Sequence, residues 1–169
     1  MVTSRTVVGL IVCLAAGLIG FFVFYQTDAE KIRNRLEILA ERVSKEGTEN
    51  KLTAAANAKK IADLFTDPCV LKLPQTPYET ASGEFSRQDI RSYAMAGRSQ
   101  YQRIKLDVYD ISITFNDRRM ADVRLTARIR AGQDGGRPVD EYDEFVCRFK
   151  NVQEQWYISR MAAVEVLER

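Results

Sequence analysis

The sequence predicts an α+β fold: an N-terminal transmembrane helix, then helices packed on a curved antiparallel sheet. Three observations carry the prediction. In Met120–Ala131 the alternation is nearly perfect, with Ala121, Val123, Leu125, Ala127 and Ile129 in one phase and Asp122, Arg124, Thr126, Arg128 and Arg130 in the other. That is a strand with one buried face. In Asp28–Lys45 the apolar residues Ile32, Leu36, Leu39 and Val43 recur at helical spacing among Arg, Glu and Asn. Ahead of both, Val7–Tyr25 is an uncharged run of 19 residues, which as a helix is roughly 28 Å long and spans a bilayer core.

The span divides the chain into an anchor, residues 1–26, and a domain, residues 27–169. Val7, Leu14, Phe21 and Tyr25 belong to the anchor. A cleaved signal peptide would need small residues before Gln26, and the run instead ends Phe-Phe-Val-Phe-Tyr. Cys13 follows Val12, where a lipoprotein signal would need a small residue. Arg5 precedes the span, while Lys31, Arg33, Arg35, Arg42 and Lys45 follow it, and a bare count of basic residues would hold the domain in the cytoplasm. Long domains translocate largely regardless of charge, and a short basic N-terminus before an apolar run is a signal-anchor arrangement. The expectation is a single-pass inner-membrane protein with its domain outside the cytoplasm.

Within the domain, Asp28 and Glu30 suit the start of the first helix and Gly47 its stop. A second helix is expected over Thr48–Phe65, burying Leu52, Ala55, Ala56, Ile61, Leu64 and Phe65, and ended by Asp67-Pro68. Cys69–Leu73 reads as a short strand, and Pro74 and Pro77 open a loop that runs through Ser82-Gly83. Ser86 is the N-cap of a third helix, Arg87 to about Tyr101, with Ile90, Tyr93, Ala94 and Gly97 inward.

Four strands follow. In Arg103–Phe115 the apolar phase switches between Val108 and Ile111, which predicts a β-bulge at Tyr109–Asp110. The turns are Asn116–Arg119 and Gly132–Gly136. The third strand, Val139–Lys150, turns Phe145, Cys147 and Phe149 inward, and the fourth, Gln155–Leu167, turns Trp156 and Ile158 inward. If Lys150 pairs with Gln155, Phe149 faces Trp156, Cys147 faces Ile158 and Phe145 faces Arg160.

The chemistry is bounded by what is missing. There is no histidine, which removes His-dependent triads and the commonest zinc ligand. With three cysteines, one inside the span, no metal site and no cofactor are expected. Cys69 and Cys147 either pair in an oxidising compartment or serve as small core hydrophobes. Beyond the span the charge is nearly balanced, and Asp122 and Glu144 interrupt the arginines of the outer sheet face, so nucleic acid is not an expected partner.

The concave side of the sheet is the candidate site. The register above makes Asp143 and Arg160 diagonal neighbours beside Trp156, with Tyr93 and Tyr101 reaching in from the third helix. A small hydrophobic ligand or a partner protein fits such a pocket. On the opposite face, Arg124, Arg128, Tyr142, Val146, Tyr157 and Met161 mix aromatic, apolar and arginine side chains as interfaces do, and predict a homodimer.

Helices, a short strand, a helix and a curved four-stranded meander, with Gln155-Trp156-Tyr157-Ile158-Ser159 opening the last strand, resemble the nuclear transport factor 2-like superfamily (SnoaL-like, cystatin-like cone). The resemblance covers Asp28–Glu168. It implies a cone whose sheet wraps the first helix around a cavity, in a superfamily of isomerases, dehydratases, polyketide cyclases and non-catalytic modules. Its enzymes use Asp, His or Tyr in the cavity, and here Asp143 would be the base. With its anchor the chain also looks like the inner-membrane scaffold subunits of type IV secretion machines. The leading expectation is a non-catalytic binding domain. The alternatives are an enzyme of the same fold and a scaffold subunit of an envelope complex.

Overall fold

A computed structural model of the chain describes residues 27–73, 82–132 and 138–164. The predicted anchor, with Val7, Leu14, Phe21 and Tyr25, lies outside the described residues. Among the described residues no helix is long and apolar enough to cross a membrane.

Helix α1 (Asp28–Val43) starts at a full capping box. The Thr27 hydroxyl accepts the Glu30 N–H, and the Glu30 carboxylate accepts the Thr27 N–H at 2.7 Å. Its apolar stripe is the predicted one, with Ile32, Leu36 and Leu39 buried. The helix ends at Ser44, three residues before the Gly47 stop expected.

Helix α2 (Lys51–Ala62) differs from expectation in both bounds and face. Asn50 caps it by accepting the Thr53 N–H, so it begins later than Thr48. Ala54, Ala58, Ile61 and Ala62 form its buried side, whereas Leu52 is 85% exposed. Leu64 and Phe65 leave the helix: the Leu64 carbonyl accepts the Ile158 N–H, and Phe65 opens β1 (Phe65–Lys72). Strand β2 (Ser82–Phe85), expected as loop, pairs antiparallel with β1. Helix α3 (Arg87–Gln100) starts at the predicted Ser86 cap.

The remaining strands are β3 (Arg103–Phe115), β4 (Met120–Gly132), β5 (Val139–Val152) and β6 (Gln155–Ala163). They form the predicted antiparallel meander. One six-stranded sheet results, in the order β2-β1-β6-β5-β4-β3, with β1 parallel to β6. The bulge in β3 stands where the phase switch put it: the register slips between Tyr109 and Ser112, and Asp110 takes a φ of 53°. Ile104, Leu106, Val108, Ile113 and Phe115 then all pair with the inner-phase residues of β4.

The β5–β6 hairpin corrects the expected register. Gln153 and Glu154, both at positive φ, form a two-residue turn, so Val152 rather than Lys150 pairs with Gln155. The register shifts again between Phe149↔Ile158 and Arg148↔Arg160, with Ser159 as the additional residue. Its buried hydroxyl donates to the Arg148 carbonyl at 3.0 Å. This bulge reverses the phase of β6: Arg160 turns to the outer face beside Arg148, and Met161 turns inward opposite Cys147.

The core lies between α1 and the concave face of the sheet. Ile32 and Leu36 of α1, Val123, Cys147, Phe149, Trp156 and Ile158 are fully buried there. Trp156 meets Phe115 edge-on at 5.8 Å between ring centroids, and its indole N–H donates to Asp28 at 3.1 Å, tying the start of α1 to the sheet. Cys69 and Cys147 are buried and free. Strand β6 separates β1 from β5, and two strand spacings of about 4.8 Å each exceed the reach of a disulfide.

Candidate functional site

The large core side chains, Trp156 and Phe149, gather toward the N-terminal half of α1. Toward its C-terminal half several of the facing residues are small: Ala127 and Ala131 on β4, Ala94 and Gly97 on α3. Tight packing there would need volume these residues lack. A cavity of about 400 Å³ remains between α1, α3 and the concave sheet. Leu36, Leu39 and Val43 form one wall, Ile90, Ala94 and Gly97 a second, and Leu125, Ala127, Ile129 and Ala131 the floor. Phe65, Leu71 and Phe85 of the β1–β2 hairpin close one side, with Phe145 and Met161 beside them.

Among the described residues, three with polar groups line this cavity: Tyr93, Tyr101 and Arg98. Tyr93 is 49% exposed and packs edge-on against Phe85 at 5.6 Å. Arg98 is different, because almost every donor it has is already used. Nε and Nη2 form a bidentate pair with the two carboxylate oxygens of Glu49, both at 2.9 Å. Nη1 donates to the carbonyls of Arg42 and Val43. These carbonyls end α1, where no further turn of helix supplies a donor, and a cation there also suits the helix dipole. Lys45 adds a bond from its ammonium to the Arg98 carbonyl. The guanidinium beside Glu49 holds its carboxyl below the usual carboxylate range; burial opposes this, and Asn57 and the charges of Arg98 and Lys45 assist.

Of the predicted pocket residues, Tyr93 and Tyr101 line the cavity. Trp156 is core, packed at the other end of α1. Asp143 is half-buried in the inner phase of β5 opposite Ala127, next to the cavity but outside its lining. The expected Asp143–Arg160 pairing is not formed, because the Ser159 bulge puts Arg160 on the other face. Sequence reasoning missed Arg98 and Glu49. A signal was present: Arg98 stands four and eight residues after Ala94 and Ile90, a lone charge in the apolar phase of its helix.

The predicted interface residues divide as well. Arg124, Arg128, Tyr142 and Val146 are on the outer face. Arg128 holds Asp140 through two bonds at 2.8 and 2.7 Å and lies 4.8 Å over the ring of Tyr142. A second such pair joins Arg148 to Asp122. These arginines hold both aspartates below the usual carboxylate range, and hydrogen bonding is the leading cause for each. Tyr157 is flanked instead by Arg35 of α1 and Arg87 of α3, at 5.2 and 5.5 Å. Met161, expected on the interface, lines the cavity. Among the described residues no group of three or more acidic, cysteine or histidine side chains is placed to hold a metal ion.

A mixed sheet curved around a long helix, with helices closing one end over a cavity, is an arrangement shared with solved structures. A proposed scytalone dehydratase from Novosphingobium aromaticivorans superposes with a TM-score of 0.65 at 14% identity, over 83% of this chain and 85% of that one. A proposed dehydratase of the NTF2-like family from Streptomyces avermitilis gives 0.58 at 17% identity, over 83% and 98%. The fold is NTF2-like. A proposed calcium/calmodulin-dependent protein kinase II association domain from Xanthomonas campestris also superposes, at 0.62 and 17% identity over 85% and 91%. No family model matches the sequence, and no curated protein does.

Proposed function

We propose that the chain is a membrane-anchored NTF2-like domain whose cavity binds a small apolar ligand. The observation that carries this reading is the cavity itself, about 400 Å³ with almost wholly apolar walls. Small-molecule sites run from about 300 to 1,000 Å³, and apolar cavities of about 150 Å³ already take up benzene. In this reading the uncharged run Val7–Tyr25 is the anchor, and the domain lies beside the inner membrane on its extracytoplasmic side. The outer sheet face, with Tyr142 59% exposed among paired arginines, supports a homodimer.

The dehydratase names of two structural neighbours suggest an enzyme as the alternative. Proton transfer needs a group of suitable pKa within reach of the substrate. Among the described residues the cavity lining carries no carboxylate, and Arg98 is engaged by Glu49 and the end of α1. Those two facts favour binding over turnover.

The test is the thermal unfolding of the full chain with a neutral apolar compound such as 2-naphthol, in wild type and in Ala94→Phe. Binding to the folded state raises its stability by about 2.7 kcal/mol at a hundredfold excess over Kd. The wild type should gain several degrees, and the filled variant should gain none. An equal rise in both, or no rise in the wild type, defeats the proposal.

A further inference from the structure

We propose that the cavity accepts neutral ligands and rejects anionic ones, because Arg98, the one cationic side chain in its described lining, is neutralised inside the fold. This rests on the ligand-binding reading above. An arginine beside an apolar cavity is ordinarily a receptor for carboxylates, its planar fork matching two oxygens at once. Here that fork is occupied by the Glu49 carboxylate, with both distances 2.9 Å. Nη1 serves two carbonyls at the end of α1, so four of the five guanidinium N–H groups are committed.

The pair is held firmly. The Arg98 side chain is 3% exposed and that of Glu49 12%. Swinging Arg98 toward a ligand would strand a shielded carboxylate and two helix-end carbonyls together, which is costlier than leaving the site as it is. An anion drawn to Arg98 would also meet the field of the Glu49 carboxylate bonded to it, and among the described residues the lining holds no other cation. Lys45 is turned to the Arg98 carbonyl and does not line the cavity. The rest of the described wall presents almost no polar surface, which suits an uncharged ligand and leaves a carboxylate without compensation.

The experiment compares 2-naphthamide with 2-naphthoate, which are alike in shape and differ in charge at pH 7.5. Full-length protein in detergent micelles is labelled at its alanine methyls, so that Ala94 and Ala127 report occupation of the cavity itself by NMR. Naphthamide should shift both methyls saturably, with a Kd at least tenfold below that of naphthoate. Glu49→Gln, which releases the guanidinium charge, should bring the naphthoate Kd down to that of naphthamide or lower. If the variant does not fold, the wild-type comparison decides alone. Naphthoate binding the wild type as tightly as naphthamide overturns the selectivity and leaves ligand binding standing. Two compounds that both leave the methyls unmoved overturn the binding reading, and the selectivity falls with it. A folded Glu49→Gln protein with unchanged naphthoate affinity overturns the role given to the ion pair.

Discussion

Replacing Arg98 by methionine keeps the length of the stem and removes the guanidinium. Glu49 would lose its bidentate partner, and the carbonyls of Arg42 and Val43 would lose their donor. Breaking a buried pair from one side costs about 3–5 kcal/mol. Glu49 keeps its bond from Asn57 at 2.8 Å and a little solvent contact, so the lower end applies, about 3 kcal/mol. For a domain of this size that is on the order of 10 °C in Tm. The depressed Glu49 pKa adds a signature in pH. A carboxylate whose folded pKa lies below its unfolded value stabilises the fold above the unfolded pKa, about 4.3. That contribution is lost as pH falls through the folded value. In Arg98→Met burial acts on Glu49 without its main counterweight, so the gap between wild type and variant should be full at pH 7 and shrink below about pH 4.3. Denaturant unfolding followed by the fluorescence of Trp156, the single tryptophan, measures both. A loss under about 1 kcal/mol at pH 7, the range of an exposed pair, would refute the argument, as would a gap that stays constant on acidification.

Three further outcomes are expected. Full-length protein should stay with membranes through a carbonate wash, and deletion of Met1–Tyr25 should release a folded domain; a fragment without β-structure by circular dichroism would place the boundary elsewhere. Val146→Asp should convert a dimer to a folded monomer in light scattering, because its side chain is on the outer face; wild-type monomer at high micromolar concentration ends the dimer proposal. Burial pushes the thiols of Cys69 and Cys147 up to about 12, so at pH 8 neither should react with a thiol reagent until the domain unfolds; labelling at the rate of a free peptide thiol would contradict their burial.

The parts of the fold that could be read from the sequence are those where large side chains mark a phase. Ile32, Leu36 and Leu39 fixed the face of α1, and the switch between Val108 and Ile111 located a bulge. Where the marks are small, the reading failed. The buried face of α2 is mostly alanine, and the one large residue nearby, Leu52, points to water. Ser82–Phe85 has little strand character of its own and becomes a strand by pairing with β1. The β5–β6 register shows a subtler limit. A slip of two residues leaves the same side chains facing inward, so alternation alone cannot detect it. Ser159 then hides a second bulge, because a buried serine satisfied by a neighbouring carbonyl resembles a surface residue in sequence. The cavity was inaccessible for a related reason: it is volume missing among Ala94, Gly97, Ala127 and Ala131, which are small residues on elements far apart in the chain.

The position of β6 has a consequence for how the protein is made. It is the last described strand in chain order, yet it sits inside the sheet, joining the β1–β2 hairpin to the meander. Phe65 has to wait for Ile158, and Asp28 for the indole of Trp156. At ribosomal rates of about 5–20 residues per second, the apolar stripe of α1 spends on the order of ten seconds without its cover. Over that interval the domain is a nascent chain with no finished core, which is the state in which polypeptides pass through a membrane channel. Late completion is compatible with the export that the proposed extracytoplasmic location would require. It also makes the final strand the least dispensable: a stop codon ahead of Gln155 would remove the seam between the two halves of the sheet, whereas the loss of an outer strand such as β2 would only trim its border.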